Sequence, residues 1–249
     1  PIYVYHDIVH NRHVVNRFEA KGVVFTEAIN TIPEGSVLVF SAHGVSPEVR
    51  KQAKLRNLRA VDATCPLVTK VHGEAIRYAK VGLDILLIGH AEHQEVIGTR
   101  GEAPGHIRVI ESEADAETIE VKDPERVVYL TQTTLSTDDA GRIIMILKRR
   151  FPQIKSPPGE DICYATTNRQ GVVAKFARQV DRVLVIGSSN SSNSVRLAEI
   201  AENRGTKAMR IDDVREIDSN FLDGAQRVLV TAGASAPEDL VQQVISHLQ

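Results

Sequence analysis

The chain has 249 residues, a formal net charge of -2, 42% hydrophobic residues and 25% charged ones. That is an ordinary globular balance, and a charge so near neutral excludes a global field that would draw in nucleic acid or an anionic membrane, so any phosphate site must be local. Two cysteines are too few for a secreted disulfide framework and no apolar run has the length of a membrane span, so a reducing cytoplasm, with neither nucleic acid nor membrane as partner, is the expectation.

The residues open Pro1-Ile2-Tyr3-Val4-Tyr5, already strand-like and without an initiator methionine, and an upstream segment is expected from that. One unit then recurs: a short apolar run, an abrupt small or polar turn, and a helix-like stretch. Residues 37–40 lead into Ser41-Ala42-His43-Gly44, and a weaker run at 59–61 leads into Asp62-Ala63-Thr64-Cys65-Pro66. Residues 85–88 precede Gly89-His90, and 127–130 precede Thr131-Gln132-Thr133-Thr134. Residues 183–186 precede Gly187-Ser188-Ser189-Asn190, and 228–230 precede Thr231-Ala232-Gly233-Ala234-Ser235. Runs without polar alternation suit strands buried on both faces, as in parallel sheets covered by helices. Helical spacing fills the intervals: Val195, Leu197, Ala198, Ile200 and Ala201 form an apolar stripe, with Arg196, Glu199 and Glu202 left for solvent. The spacing predicts an α/β protein with mostly parallel sheets, in three modules at 1–63, 64–160 and 161–249. The polar stretch 111–122 reads as a surface element. Residues 151–160, with Pro157-Pro158, read as a linker.

Ligands of open α/β sheets sit at the carboxyl ends of strands. The residues at those turns are richer in groups that bind or transfer protons than turn chemistry requires. Cys65, followed by Pro66, fits a helix cap whose dipole favours thiolate; an inert buried cysteine is the other reading. Cys163 also lies where a loop runs into a helix, and the two could converge on one metal or cluster, or do nothing jointly. Residues 187–194, small and polar between a buried strand and a helix, form an anion cradle suited to phosphate or diphosphate, with 231–238 as a second wall and Ser235 as its donor. His10 and His43 could each donate to phosphate oxygens, or be merely solvated. In His93-Gln94-Glu95 a carboxylate beside an imidazole suits proton delivery; a zinc site would need a third ligand, and a plain polar turn also fits.

The strings that carry these residues resemble a known family. Pro1-Ile2-Tyr3-Val4 with His10-Asn11-Arg12, Phe40-Ser41-Ala42-His43-Gly44-Val45-Ser46, and Asp62-Ala63-Thr64-Cys65-Pro66-Leu67-Val68-Thr69-Lys70-Val71-His72 are similar to the 4-hydroxy-3-methylbut-2-enyl diphosphate reductases. So are Leu87-Ile88-Gly89-His90 with His93-Gln94-Glu95-Val96, Thr131-Gln132-Thr133-Thr134-Leu135-Ser136, and Asp161-Ile162-Cys163-Tyr164-Ala165-Thr166-Thr167-Asn168-Arg169-Gln170. The resemblance implies three α/β modules around one [4Fe–4S] cluster with an open iron, Cys65 and Cys163 being two of its thiolate ligands. It implies that His10, His43, His93, Ser191, Ser192, Asn193 and Ser235 hold the diphosphate of an allylic substrate. It also implies that Thr133 contacts the substrate near its hydroxyl and that Glu95 supplies the proton for water. Reduced ferredoxin or flavodoxin is the implied electron donor.

The family's first cluster cysteine lies in a Gly-Phe-Cys-type motif upstream of the strand that opens here, and no such motif occurs in these residues. The expectation is that the chain as written, lacking the third cysteine ligand, holds such a cluster poorly or not at all. Two other readings of the same turns are a metal-free diphosphate hydrolase or transferase, and a non-catalytic diphosphate-binding fragment. Neither would need both cysteines at strand ends. His72, His90 and Thr134 fall near the site without an assigned role.

Overall fold

A computed structural model describes residues 1–249. In chain order its elements are β1 (Ile2–Tyr5), α1 (Arg12–Glu19), β2 (Val23–Thr26), β3 (Val37–Phe40), α2 (Pro47–Leu55), β4 (Arg59–Asp62) and α3 (Pro66–Lys80). Next come β5 (Asp84–Ile88), α4 (Gln94–Glu102), β6 (Ile107–Ile110), α5 (Glu113–Thr118), β7 (Val127–Thr131) and α6 (Thr137–Arg150). The rest are α7 (Tyr164–Phe176), β8 (Arg182–Ile186), α8 (Ser192–Asn203), β9 (Lys207–Ile211), α9 (Ser219–Leu222), β10 (Val228–Ala232) and α10 (Glu238–Leu248). The fold is α/β, with three parallel sheets ordered β2-β1-β3-β4, β6-β5-β7 and β10-β8-β9. By their contacts the residues group into two compact units: Pro1–Ile8 with Lys21–Cys163, and Val9–Ala20 with Tyr164–Gln249.

The first unit holds two sheets. In the second sheet β5 and β7 are buried at every residue, because helices cover both faces. Leu86, Ile88, Val127 and Tyr129 pack with Ile143 and Leu147 of α6. Ile85, Leu87, Val128 and Leu130 pack with Val71 and Ala75 of α3 and Val96 of α4. Successive residues of a strand point to opposite faces, so an apolar run with no alternation is what a doubly covered strand requires. Each such side chain contributes about 1.5–3 kcal/mol by leaving water. Helix starts are written locally: Ser46 caps α2 ahead of Pro47, Pro66 opens α3, and Ser112 closes a capping box on Asp115 of α5.

Two segments differ from the sequence reading. β4, the weaker run, is exposed at all four residues and is an edge strand of the first sheet, paired on one side only, by β3. The stretch 151–160 is more than a linker. Phe151 is buried and Lys155 bridges to Val128, its N–H donating to Val127 O at 2.9 Å and its carbonyl accepting from Tyr129 N at 3.1 Å. The stretch 111–122 carries α5 on the surface.

In the second unit β8 is the central strand. Val183 and Val185 pack with Val173 of α7 and Leu197 of α8 on one face. Leu184 and Ile186 pack with Leu240 and Val244 of α10 on the other. α1 belongs to this unit and is tied to it by an Arg17–Asp239 ion pair and by His13 Nε2, 3.5 Å from Asp213 Oδ2.

Candidate active site

In both units the chemistry-bearing residues stand at the carboxyl ends of the strands, where parallel pairing aligns the loops. In the first unit, β5 and β7 run side by side with Ile88 opposite Thr131, so the loops after them start level. α4 begins in the β5 loop, with His93 as its N-cap accepting from Glu95 N at 3.2 Å. Glu95 is 2% exposed, and Thr133 of the neighbouring loop grips its carboxylate: the Thr133 N–H donates to Oε1 at 2.6 Å and the hydroxyl to Oε2 at 2.9 Å. Burial pushes the Glu95 carboxyl up, the two Thr133 bonds pull it back, and the nearby Asp161 charge adds to the rise, leaving it at about 7. A carboxyl poised there can hold or release a proton near neutral pH. Thr133 also braces the backbone of Cys163, since its carbonyl accepts from Cys163 N at 2.8 Å.

His43 stands at the end of β3, its Nδ1 3.3 Å from Ser41 Oγ. Its ring meets that of His93 edge-on, with centroids 5.8 Å apart. Two imidazoles therefore lie within reach of the Glu95 helix start. Sequence reading listed both without seeing that they pair.

Both cysteines are free, half-buried thiols. Cys65 is the N-cap of α3, with no side-chain capping bond, and its N–H donates to Ala42 O at 3.0 Å. Cys163 immediately precedes α7. Lys70 of α3 reaches Asp161 Oδ1 at 2.7 Å and the carbonyls of Gly159 and Glu160 at 3.3 and 3.4 Å. The helix that starts at Cys65 is thereby tied to the segment that ends at Cys163. Thiols at helix starts are the donor chemistry that an iron–sulfur cluster takes. No group of three His, Cys, Asp or Glu side chains that could hold a metal ion forms here, and with two cysteines in the sequence a third thiolate is not among these 249 residues.

In the second unit the loops after β8 and β10 meet the start of α1. Ser191 is the N-cap of α8, accepting from Ser194 N at 3.4 Å and from Ser194 Oγ at 3.0 Å. Ser192 and Asn193 open the helix. Asn193 is 4% exposed, yet neither its Oδ1 nor its Nδ2 has a hydrogen-bond partner. A buried amide left unbonded costs about 1–3 kcal/mol. Ser235 Oγ donates to His10 O at 3.0 Å, and Arg12 N donates to Ser188 Oγ at 3.0 Å, so His10 is held at the same loops. Ser194 fills the gap where Gly187 and Gly233 approach: a Cβ on either would lie 2.1 Å from its Oγ.

Sequence reading missed several partners. Gln132 is buried, accepts from His90 N at 3.0 Å and donates to Thr134 Oγ1 at 2.9 Å, while Gly89 makes room for it. That places His90 and Thr134 in one loop-bracing pair. The roles of Lys70 and Asp161 were also missed, while Ser188 and Ser194 were read only as members of the 187–194 cradle. Gly187 before the serine run was the one local signal of a close approach.

Comparison with known proteins gives one picture. A model of the LytB protein family matches residues 1–249. A Rhodopirellula baltica protein named 4-hydroxy-3-methylbut-2-enyl diphosphate reductase is 56% identical over 249 residues, covering 100% of this chain and 78% of its own length. One of the same name from Methylococcus capsulatus is 52% identical over 252 residues, covering 100% and 80%. The solved E-1-hydroxy-2-methyl-but-2-enyl-4-diphosphate reductase of Plasmodium falciparum matches with a TM-score of 0.97 at 41% identity, over 100% of this chain and 78% of that one.

Proposed function

We propose, from the LytB protein family to which this chain belongs, that it is an oxidoreductase removing the hydroxyl of 4-hydroxy-3-methylbut-2-enyl diphosphate to give isopentenyl and dimethylallyl diphosphate. Two electrons and two protons enter. The allylic C–O bond breaks, one proton leaves with the hydroxyl as water, and the other joins the allylic carbon frame. A metal-free hydrolase or transferase is not favoured, because the relatives at 52–56% identity carry the reductase name.

Within that reaction Glu95 is the proton donor to the leaving hydroxyl, and Thr133 orients both that carboxyl and the substrate hydroxyl. The observation that carries this is Thr133 itself, bonded to both oxygens of Glu95 and, through its carbonyl, to the residue that bears the second thiol. His10, His43, His93, Ser191, Ser192, Asn193 and Ser235 bind diphosphate oxygens; the unbonded Asn193 amide supports this. Charge-assisted bonds to diphosphate fix the substrate from a point remote from the reacting carbon. Cys65 and Cys163 would be two ligands of an iron–sulfur cluster of the [4Fe–4S] type, whose third thiolate these residues do not supply; when bound, the cluster would supply electrons and a Lewis-acidic iron. Reduced ferredoxin or flavodoxin delivers the electrons, in the cytoplasm; no helix is long and apolar enough to cross a membrane. The three modules are 1–63, 64–160 and 161–249, each holding one of the sheets.

Product analysis separates the readings. Anaerobic incubation with substrate and reduced methyl viologen is expected to yield C5 diphosphates without released phosphate. Phosphate release that needs no reductant would make the protein a hydrolase instead.

A further inference from the structure

Helix α4 starts at His93 and Glu95, and its far end grips the loop that carries His43. Two glycines on α4, three residues apart, let the helix lie directly on that loop. A Cβ on Gly98 would sit 3.2 Å from Gly44 O, and one on Gly101 would sit 2.4 Å from Ser46 Cβ. Gly44 follows His43 and takes a left-handed conformation (φ +76) open chiefly to glycine. Against it lies the ring of His72, whose Cε1 would be 2.9 Å from a Gly44 Cβ.

His72 is buried on α3. Its Nδ1 donates to Glu102 Oε1 at 3.1 Å, at the last turn of α4. Its Nε2 is buried with no hydrogen-bond partner, so the ring meets Gly44 by contact alone. Glu102 is also paired with Arg50 of α2, and Arg50 Nη1 donates to Val45 O at 2.8 Å. Burial pushes the Glu102 carboxyl up, but the bonds from His72 and Arg50 outweigh it and hold it below its ordinary value. One carboxylate thus joins three helices around residues 44–46.

We infer that His72, Glu102 and Arg50 form a positioning network that sets His43 at its edge-on distance from His93 and so shapes the anion-binding face of the Glu95 helix start. Their role is assigned through the His43 loop, as positioning residues. α4 is the common ruler, with His93 and Glu95 at one end and the clamp on the neighbouring loop at the other. The consequence for binding rests on the proposed role of His43 toward diphosphate; the geometric claim does not.

The experiment uses the full-length protein with labelled histidines, in wild type, Glu102→Gln, His72→Phe and Gly98→Ala. Glu102→Gln removes the charge that joins the helices. His72→Phe keeps a ring against Gly44 but cuts the bond to Glu102. Gly98→Ala presses on Gly44 O at 3.2 Å and on His72 Cε1 at 3.4 Å, and so pushes the loop off while removing no side chain of the network. The expected result is loss of the His43–His93 ring cross-peak, with KM for the allylic diphosphate raised about tenfold and kcat within about twofold. A purely structural role would lower melting temperature and active fraction while leaving KM and the cross-peak of the folded protein unchanged, and that result overturns the network. A lost cross-peak with unchanged KM supports the network and instead contradicts the diphosphate role of His43. Should Glu102→Gln fail to fold, His72→Phe and Gly98→Ala carry the same expectations.

Discussion

Thr133 holds both oxygens of Glu95 at once, its N–H 2.6 Å from Oε1 and its hydroxyl 2.9 Å from Oε2, across two loops that start level because β5 and β7 pair in parallel. Replacing the carboxyl with an amide of equal size tests what the pair does. Glu95→Gln keeps the shape and cannot give up a proton, so kcat should fall on the order of 10²-fold or more with diphosphate affinity little changed. The sign of the pH effect follows from the raised value of about 7 against the ordinary 4.5. Activity should fall as pH rises through about 7, because the protonated form is the working one. Stability should also fall between about pH 4.5 and 7, where the folded chain keeps a proton that the unfolded chain has released, and level off above. Melting temperature against pH checks this. Glu95→Gln should flatten the slope without abolishing it, since Asp161 and Glu74 are also pushed up by burial.

Thr133→Val removes the hydroxyl bond and leaves the backbone one. That bond favours the charged carboxylate, so its loss should raise the Glu95 carboxyl further. The falling limb of the pH–rate profile should move up by about one unit. A limb that stays in place would mean that another group sets the profile.

Asn193 offers a case where binding and stability should part. Its amide is buried and unbonded, so Asn193→Leu removes an unsatisfied polar group and should leave the melting temperature unchanged or higher. Binding of inorganic diphosphate, followed by calorimetry, should weaken about tenfold. A fall in stability with intact binding would make Asn193 structural.

The glycines that flank Ser194 should not be equivalent. Gly187→Ala and Gly233→Ala each place a Cβ 2.1 Å from Ser194 Oγ and should cost about 1–3 kcal/mol in urea unfolding. Removing the hydroxyl with Ser194→Ala should rescue Gly233→Ala, whose Cβ would then be 3.3 Å from Ser194 Cβ. It should not rescue Gly187→Ala, where 2.8 Å remains. A double-mutant cycle reads the difference.

The parallel α/β architecture was legible because β5, β7 and β8 are unbroken apolar runs, and only strands covered on both faces need that. Cys65 at a helix start was legible from Pro66. The exposure of β4 was not, since Arg59-Ala60-Val61 carries no mark of an edge. Nor was the pairing of Lys155 with β7, because Pro157-Pro158 nearby argues for a break. The Glu95–Thr133 and Arg50–Glu102–His72 bonds join residues 30 or more apart, and strand order, which no local pattern states, decides them. Gly98 and Gly101, spaced three apart on one helix, were the one hint that α4 lies close on a neighbour.

The central claim is two-electron reduction at a cluster held by Cys65 and Cys163. The direct measurement is anaerobic oxidation of reduced methyl viologen per C5 product formed, on full-length protein reconstituted with iron and sulfide, alongside Cys65→Ser and Cys163→Ser. The account predicts two electrons per product in the wild type and loss of both bound iron and turnover in each variant. Product formed at the wild-type rate by both cysteine variants would contradict it.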